Sequence, residues 1–323
     1  MSNFESIKLL ITKDLEEFNK IFSTVFHSEE HLLNKALEYL LPQKGKQIRP
    51  ILVILAAKAV GKATQNTNYL ASAYELLHLA SLIHDDVVDN SEQRRNKPSL
   101  NKTFDNKTAV LVGDYLLTKS INFVLLTKNL EYLELLQSFG SLIVRGELLQ
   151  QQHSHNFIKD EDYFTVIRHK TASLFAICAK SGALTGGGNS EQVKALSDFG
   201  ENLGICFQIK DDIFDYKSNK LLGKPLFNDI TEGKITLPLI YTLSKSAGNE
   251  GDKVLQILHG NTVSKEDINF VSNLIINYKG IEYAEAKMLE FRQQALNCIE
   301  FIPDSTEKDL LVGLLNYVID REF

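Results

Sequence analysis

The sequence predicts an all-α protein, on three observations. Apolar residues recur with helical spacing in almost every segment. Only six prolines interrupt the 323 residues. No alternation of apolar and polar residues lasts long enough to make a convincing strand. Taken in order, residues 3–26 and 29–41 read as two amphipathic helices. Lys44-Gly45-Lys46-Gln47-Ile48-Arg49-Pro50 breaks that pattern, and Pro50 suits the first position of the next helix. That helix, about 50–60, is nearly all apolar and belongs at the centre of the core. The next, about 67–90, ends in an acidic motif and is followed by a polar loop, Asn90 to Lys102. Helices follow at about 105–127, 130–155, 161–185 and 190–216, with Gly186-Gly187-Gly188 as an interruption. A basic loop, Lys217 to Lys234, leads to a helix at 236–247. After a loop from Ala247 to Asp252, two or three helices finish the chain. No linker or low-complexity run divides it, so 1–323 reads as a single all-α domain.

A hydrophobic content of 44% supplies a sizeable core, and a net charge of −6 argues against general nucleic-acid binding. Met1-Ser2-Asn3-Phe4-Glu5 lacks the features of a signal peptide, and no apolar run approaches the ~20 residues of a membrane span. Cys178, Cys206 and Cys298 are far apart and odd in number, which fits core thiols in a reducing cytoplasm.

The chemistry is concentrated in a repeated stretch. Ile83-His84-Asp85-Asp86-Val87-Val88-Asp89 has a counterpart in Ile209-Lys210-Asp211-Asp212-Ile213-Phe214-Asp215. In a helix, Asp85 and Asp89 share a face one turn apart, as do Asp211 and Asp215. Like charges at that spacing destabilise a helix by ~0.2–0.5 kcal/mol per pair, so a counter-charge is expected. One copy alone would read as a solvated acidic face; two copies behind matching apolar flanks point to a divalent cation, with magnesium the natural choice for hard oxygen ligands. Basic residues accompany both copies. Lys46 and Arg49 flank a glycine-bearing turn, Arg94 and Arg95 follow the first motif, Lys224 and Lys234 follow the second, and Lys170-Thr171 opens an apolar stretch. Arginine forks and lysine point charges are the usual partners of phosphate oxygens.

With these motifs in this order, the sequence resembles the trans-isoprenyl diphosphate synthases (polyprenyl synthetases) from about residue 30 onward. Glu75-Leu76-Leu77-His78, the two acidic motifs, Arg94-Arg95, Lys170-Thr171-Ala172, Phe207-Gln208 and Gly233-Lys234 carry the resemblance. It implies a bundle of long helices around a central cavity, usually a homodimer. It also implies that Asp85, Asp86, Asp89, Asp211, Asp212 and Asp215 hold Mg2+ for an allylic diphosphate. Lys46, Arg49, His78 and Arg95 would hold isopentenyl diphosphate; Arg94, Lys170, Thr171, Gln208, Lys224 and Lys234 would hold the allylic diphosphate. The implied reaction is ionisation, condensation and elimination, with Lys170 among the catalytic groups. Glu147 and Gln150 resemble a pair near the diphosphates, with simple polar helix contacts as the alternative.

Some positions depart from the family pattern. Lys44 replaces a glycine, Gln47 an arginine and Asn96 a glycine, and the C-terminus offers only Arg321 where many members carry several bases. The charges nevertheless form a set. Two diphosphates and six aspartates bring about −12 against ~+7 from the basic residues, a deficit that about three magnesium ions would roughly balance.

Leu77, Ala80 and Ser81 lie in the two turns before Asp85, where short-chain members often carry an aromatic floor. The small Ala80 and Ser81 imply an open path and a long product, about hexaprenyl to octaprenyl, of the quinone-tail type. The alternatives are a short-chain farnesyl or geranylgeranyl diphosphate synthase, a terpene cyclase, and a non-catalytic subunit of a heteromeric synthase. Cyclases usually keep only one aspartate-rich motif, and such subunits usually lack part of the acid and base set.

Overall fold

The stretch from Ile51 to Ala57 is apolar on every side, and a helix segment with no polar face has to be enclosed. The computed structural model, which describes all residues except 1–2, 42–44, 96, 155, 217–226, 261 and 323, encloses it: Ile51 through Ala57 have no exposed surface. The all-α class holds. Among the described residues the only strands are Gln93–Arg94 and Lys97–Pro98, an antiparallel pair inside the polar loop.

Most helices fall where the apolar spacing predicts, with several differences of detail. The 3–26 segment is two helices, Asn3–Leu10 and Thr12–Ser23. The Pro50 helix begins earlier, at Ile48, which puts Pro50 third; first-turn N–H groups have no helical acceptor, so proline is tolerated there too. The 161–185 segment is Asp160–Ile167, a π-helical turn at Arg168–Ala172, and Ser173–Gly186. A helix starts at Glu250, inside the expected loop, and with it four helices rather than two or three finish the chain. Short helices at Leu100–Thr103 and Asn228–Thr231 interrupt the two segments read as loops.

Contacts group the chain into two compact units, each assembled from non-contiguous segments. The first comprises Met1–Gln137, Ile177–Ser197 and Ile299–Leu314. In it the Ile48–Val60 helix packs on Gln65–Val88, which packs in turn on Asn106–Leu126. Thr64 and Thr67 form a reciprocal cap at the start of Gln65–Val88, and Thr67 Oγ1 donates to Thr185 Oγ1 at 2.9 Å. Deeper, the Tyr74 and Ser181 hydroxyls share a buried 2.6 Å hydrogen bond. Small residues let the 177–186 segment lie directly on the apolar helix: a Cβ at Gly182 would come within 2.3 Å of the Val53 carbonyl oxygen. Gly187, at φ +85°, ends that segment in the left-handed region, and Gly188 N–H closes back on Ala183 O at 2.9 Å.

Asn106–Leu126 corrects one premise of the sequence reading: at 21 residues it is long and apolar enough to cross a membrane by length and composition. Its Ala109, Val112, Leu116 and Phe123 are buried, and Ser120 Oγ donates to Ala73 O at 2.8 Å.

The second unit comprises Ser138–Ala176, Asp198–Cys298 and Leu315–Phe323. Here Leu237–Lys245 packs on Gly280–Cys298, with the Tyr241 and Tyr283 rings stacked at 4.1 Å. The three cysteines are free thiols; Cys178 and Cys206 lie in the core, whereas Cys298 is only half-buried, not the core thiol expected. Burial pushes Cys206 up to about 12 and raises Cys178 as well, which keeps both unreactive.

Replacing Gly182 with valine should drive a side chain into the Val53 backbone and cost at least the ~1–3 kcal/mol of an overpacked core. Tyr74→Phe should cost about 1 kcal/mol through the orphaned Ser181 hydroxyl. Thermal unfolding of both variants checks this; an unchanged midpoint in Gly182→Val would contradict the close packing.

Candidate active site

Both acidic motifs sit at the C-terminal ends of long helices, Gln65–Val88 and Ser190–Tyr216, and neither last turn carries a base. That end of a helix is the negative pole, where a carboxylate is unfavourable by ~0.3–1 kcal/mol. The chain accepts this placement twice, in addition to the like-charge spacing, so compensation has to come from elsewhere.

In the first unit, Asp86 is 4% exposed and its carboxylate accepts from the guanidinium of Arg94, with Nε at 3.0 Å. The residues read as metal ligand and diphosphate ligand are thus paired with each other here. Asp85 is half-buried, and Asp89 is exposed where the helix ends. Arg95 takes a left-handed backbone, φ 52°, and its guanidinium lies against Gly45, where a Cβ would come within 2.6 Å of Nη2. Gln47, φ 58°, is left-handed as well, just before the helix that carries Arg49. They are two of the six non-glycine residues with positive φ among the described residues, and each such backbone costs of order 1–3 kcal/mol.

Glu75 and His78, one turn apart, stand among these bases. Burial pushes the Glu75 carboxyl up against the opposing pull of Arg49 and Arg95, and its Oε2 is buried without a hydrogen-bond partner among the described residues. Burial, then Arg49, Arg95 and Arg94, push His78 well below the ordinary histidine range, so the ring is neutral at pH 7. Leu77, Ser81 and Asp85 are half-buried at i, i+4 and i+8, one stripe of the helix. Ala80 is off that stripe and 2% exposed, and the Ser81 hydroxyl donates to His78 O at 2.9 Å. His84 turns to the neighbouring helix, 3.2 Å from Val110 O.

The second unit holds a cleft of about 180 Å³ whose walls include Gln150, Lys170, Gln208, Asp212, Asp229 and Lys234. Lys170 and Thr171 are on the π-helical turn, a distortion that recurs at functional sites because it re-aims side chains. Gly146 lets that turn come close: a Cβ there would be 2.8 Å from Lys170 Cγ. Lys170 Nζ donates to Gln150 Oε1 at 2.6 Å and pairs with Glu147, so those two residues hold the lysine. A polar chain runs from Thr171 Oγ1 to Gln208 Oε1 (2.7 Å) and from Gln208 Nε2 to Asp212 Oδ1 (2.8 Å). The Tyr163 hydroxyl donates to Asp212 Oδ2 at 2.6 Å. Asp212 is 4% exposed, and burial, opposed by Tyr163 and Gln208 and reinforced by Asp211 and Asp215, pushes its carboxyl up to about 7. Burial beside Asp212 and Asp215 also raises Asp229, whose N–H donates to Asp215 Oδ2 at 3.1 Å. Lys234 is half-buried, with Glu232 beside it. Lys46 is half-buried in the first unit. Lys224 and the departures at Lys44 and Asn96 lie outside the described residues.

The donors of both clusters are carboxylate oxygens, and among the described residues no three acidic, histidine or cysteine groups are gathered as a metal cage. That set fits a hard divalent cation bound by one or two carboxylates and completed by water and substrate phosphate oxygens. The sequence reading missed Tyr163 and Asp229 in this site. Tyr163 and Asp229 are outside the motifs, and only a three-dimensional contact brings them to Asp212 and Asp215.

The Polyprenyl synthetase family model matches residues 30–275. The chain is 32% identical over 325 residues to an octaprenyl diphosphate synthase of Haemophilus influenzae, covering 100% of this chain and 98% of the relative. A polyprenyl synthase of Caulobacter crescentus, solved with calcium and isoprenyl diphosphate, superposes with a TM-score of 0.94 at 29% identity, covering 99% and 98% of the two chains. A geranylgeranyl pyrophosphate synthase of Bacteroides thetaiotaomicron gives a TM-score of 0.85 at 37% identity, covering 99% of each. With the motifs, the all-α fold and full-length similarity in agreement, the chain belongs to the polyprenyl synthetase family and is a prenyltransferase.

Proposed function

We propose that the chain is a long-chain trans-polyprenyl diphosphate synthase, a cytoplasmic homodimer in which 1–323 works as one domain, using Mg2+ to join isopentenyl diphosphate to an allylic diphosphate. The observation that carries this is the pair of acid clusters at two helix C-termini, each with cationic side chains beside it. Asp85, Asp86, Asp89, Asp211, Asp212 and Asp215 are the residues that would hold the metal. Bound Mg2+ supplies positive charge to the allylic diphosphate oxygens and so favours departure of that group. The Caulobacter relative, solved with calcium and isoprenyl diphosphate, supports a divalent ion in this role.

The side chains divide the remaining work. Lys170, held by Gln150 and Glu147, and Arg94, Thr171, Gln208, Lys224 and Lys234 bind the allylic diphosphate and stabilise the charge that grows on it as the C–O bond breaks. Lys46, Arg49, His78 and Arg95 hold isopentenyl diphosphate so that its double bond attacks the allylic carbon; loss of a proton then restores a double bond. A neutral His78 donates a hydrogen bond without adding a charge. The exposed Val110, Leu111, Leu125, Leu126 and Leu130 support a homodimer, because large apolar side chains at the surface favour burial against a partner.

The half-buried Leu77–Ser81–Asp85 stripe supports growth of the chain along this helix from Asp85. No aromatic residue stands at Ser81, and the Haemophilus relative is an octaprenyl diphosphate synthase, so we assign a hexaprenyl-to-octaprenyl product. Leu77, on the same stripe, favours the second reading, a shorter product such as that of the Bacteroides relative.

Asp85→Ala and Asp211→Ala should each lower turnover by orders of magnitude while leaving the helical signal in place. Near-normal turnover in either would sink the synthase site. Arg49→Ala should raise the KM for isopentenyl diphosphate about ten- to a hundredfold, and Lys170→Ala that for the allylic substrate, as expected for one charge-assisted contact of ~1.5–3 kcal/mol. Steady-state kinetics with each substrate varied separates them; an Arg49→Ala effect confined to the allylic substrate would reverse the assignment. Ser81→Phe should shorten the product to farnesyl or geranylgeranyl diphosphate on reverse-phase chromatography, whereas an unshifted product would remove Ser81 from the chain's path.

A further inference from the structure

Arg321, two residues from the C-terminus, is not a loose tail charge. Its side chain is 7% exposed, and Nη2 donates both to Asp211 Oδ1 at 2.7 Å and to Phe207 O at 3.0 Å. Nε donates to Val318 O at 3.2 Å, and the guanidinium lies over the Phe207 ring at 4.1 Å, with Phe214 at 5.5 Å. These contacts fix a positive charge on one oxygen of Asp211, whose side chain is 41% exposed. The other oxygen, Oδ2, has no partner among the described residues.

We propose that Arg321 is a built-in counter-ion of the second acid cluster, a positioning residue that sets the direction of Asp211 and keeps the affinity of that cluster for a divalent cation low until a diphosphate is present. The inference rests on the synthase reading above and extends it to how the cluster is loaded. A divalent ion on Oδ2 meets the fixed guanidinium across a single carboxylate, and the repulsion between +2 and +1 charges at such a separation weakens binding by about tenfold even in a water-like medium. A diphosphate brings about three negative charges and reverses that balance. The other two aspartates of the motif are also engaged inside the unit, Asp212 by Tyr163 and Gln208 and Asp215 by the Asp229 N–H. The cluster is therefore largely satisfied before any ion arrives, and Arg321 brings the full positive charge.

Manganese alone, titrated into the full-length protein without substrate and followed by the electron paramagnetic resonance of free Mn2+, tests this. Arg321→Met keeps an apolar stem over Phe207 and removes the charge. It should bind Mn2+ about tenfold more tightly at the affected site, and less Mg2+ should be needed for half-maximal turnover, with kcat reduced because Asp211 is no longer oriented. Arg321→Lys retains a charge and should keep the Mn2+ affinity close to wild type while lowering kcat, a split that loss of packing alone would not produce. Arg321→Gln serves in place of the methionine variant if that one fails to fold. Unchanged Mn2+ affinity in a folded, charge-removed variant overturns the inference. If that happens while Asp211→Ala still abolishes turnover, the synthase reading stands and only the role of Arg321 falls; if Asp211→Ala retains turnover, the synthase reading itself fails.

Discussion

Carboxylates at the negative end of a helix repel both one another and the helix dipole, and this protein gathers three at each of two such ends. Much of the local structure can be understood as an answer to that charge. Asp86 and Asp211 each bind an arginine, Arg94 and Arg321. Asp212, enclosed too deeply to ionise freely at neutral pH, is held by a tyrosine hydroxyl and a glutamine amide. Asp215 accepts a backbone N–H from Asp229. Each answer is partial, because a carboxylate keeps further lone pairs after one hydrogen bond. What is left over is acceptor capacity, which the proposed reading assigns to a cation held together with an anionic substrate.

The apolar scaffold makes such a site affordable in stability. Ile48–Val60 carries Arg49 in its first turn and is enclosed by its neighbours for most of its length, so the arginine projects from a rigid base. On the Lys170 side rigidity comes from the close approach at Gly146 and from the ties to Gln150 and Glu147. Arg95 and Gln47 are two of the six non-glycine residues with positive φ among the described residues, and both lie on the basic loops. A scaffold buried this thoroughly can hold a few residues in conformations costing of order 1–3 kcal/mol each.

The sequence was informative wherever function is written as local pattern. The repeated aspartate motif was visible because spacing along a helix decides which side chains share a face, and the arginine pair and the Lys170-Thr171 step because adjacent residues are read directly from the chain. The glycine interruption at 186–188 was equally plain. Contacts between distant segments were not visible: the Tyr163 hydroxyl on Asp212 joins residues 49 apart, and Arg321 on Asp211 joins residues 110 apart. The π-helical turn escaped as well, since its residues fit an α-helical period and only the insertion of an extra residue in the turn distinguishes it. Pro50 misled by two positions because proline is accepted throughout a first helical turn, not only at its first residue. Arg321 was legible as a lone C-terminal base but not as a buried one, since burial there depends on Phe207 and Phe214, a hundred residues upstream.

The two arginine–aspartate pairs differ in a way that bears on how the clusters work. Arg94 belongs to a two-residue strand on a polar loop, its side chain is 31% exposed, and among the described residues its guanidinium bonds only to Asp86. An arginine so placed can exchange its carboxylate for a phosphate oxygen at small cost, because one charge-assisted bond replaces another and little packing is lost. Arg321 is sealed by two aromatic rings and by the Phe207 and Val318 carbonyls, so leaving Asp211 would orphan several donors at once. The first cluster is therefore neutralised by a cation able to change partners, the second by one that stays. Similar sequence motifs thus yield two carboxylate clusters with different electrostatics, and the difference comes from residues outside the repeat.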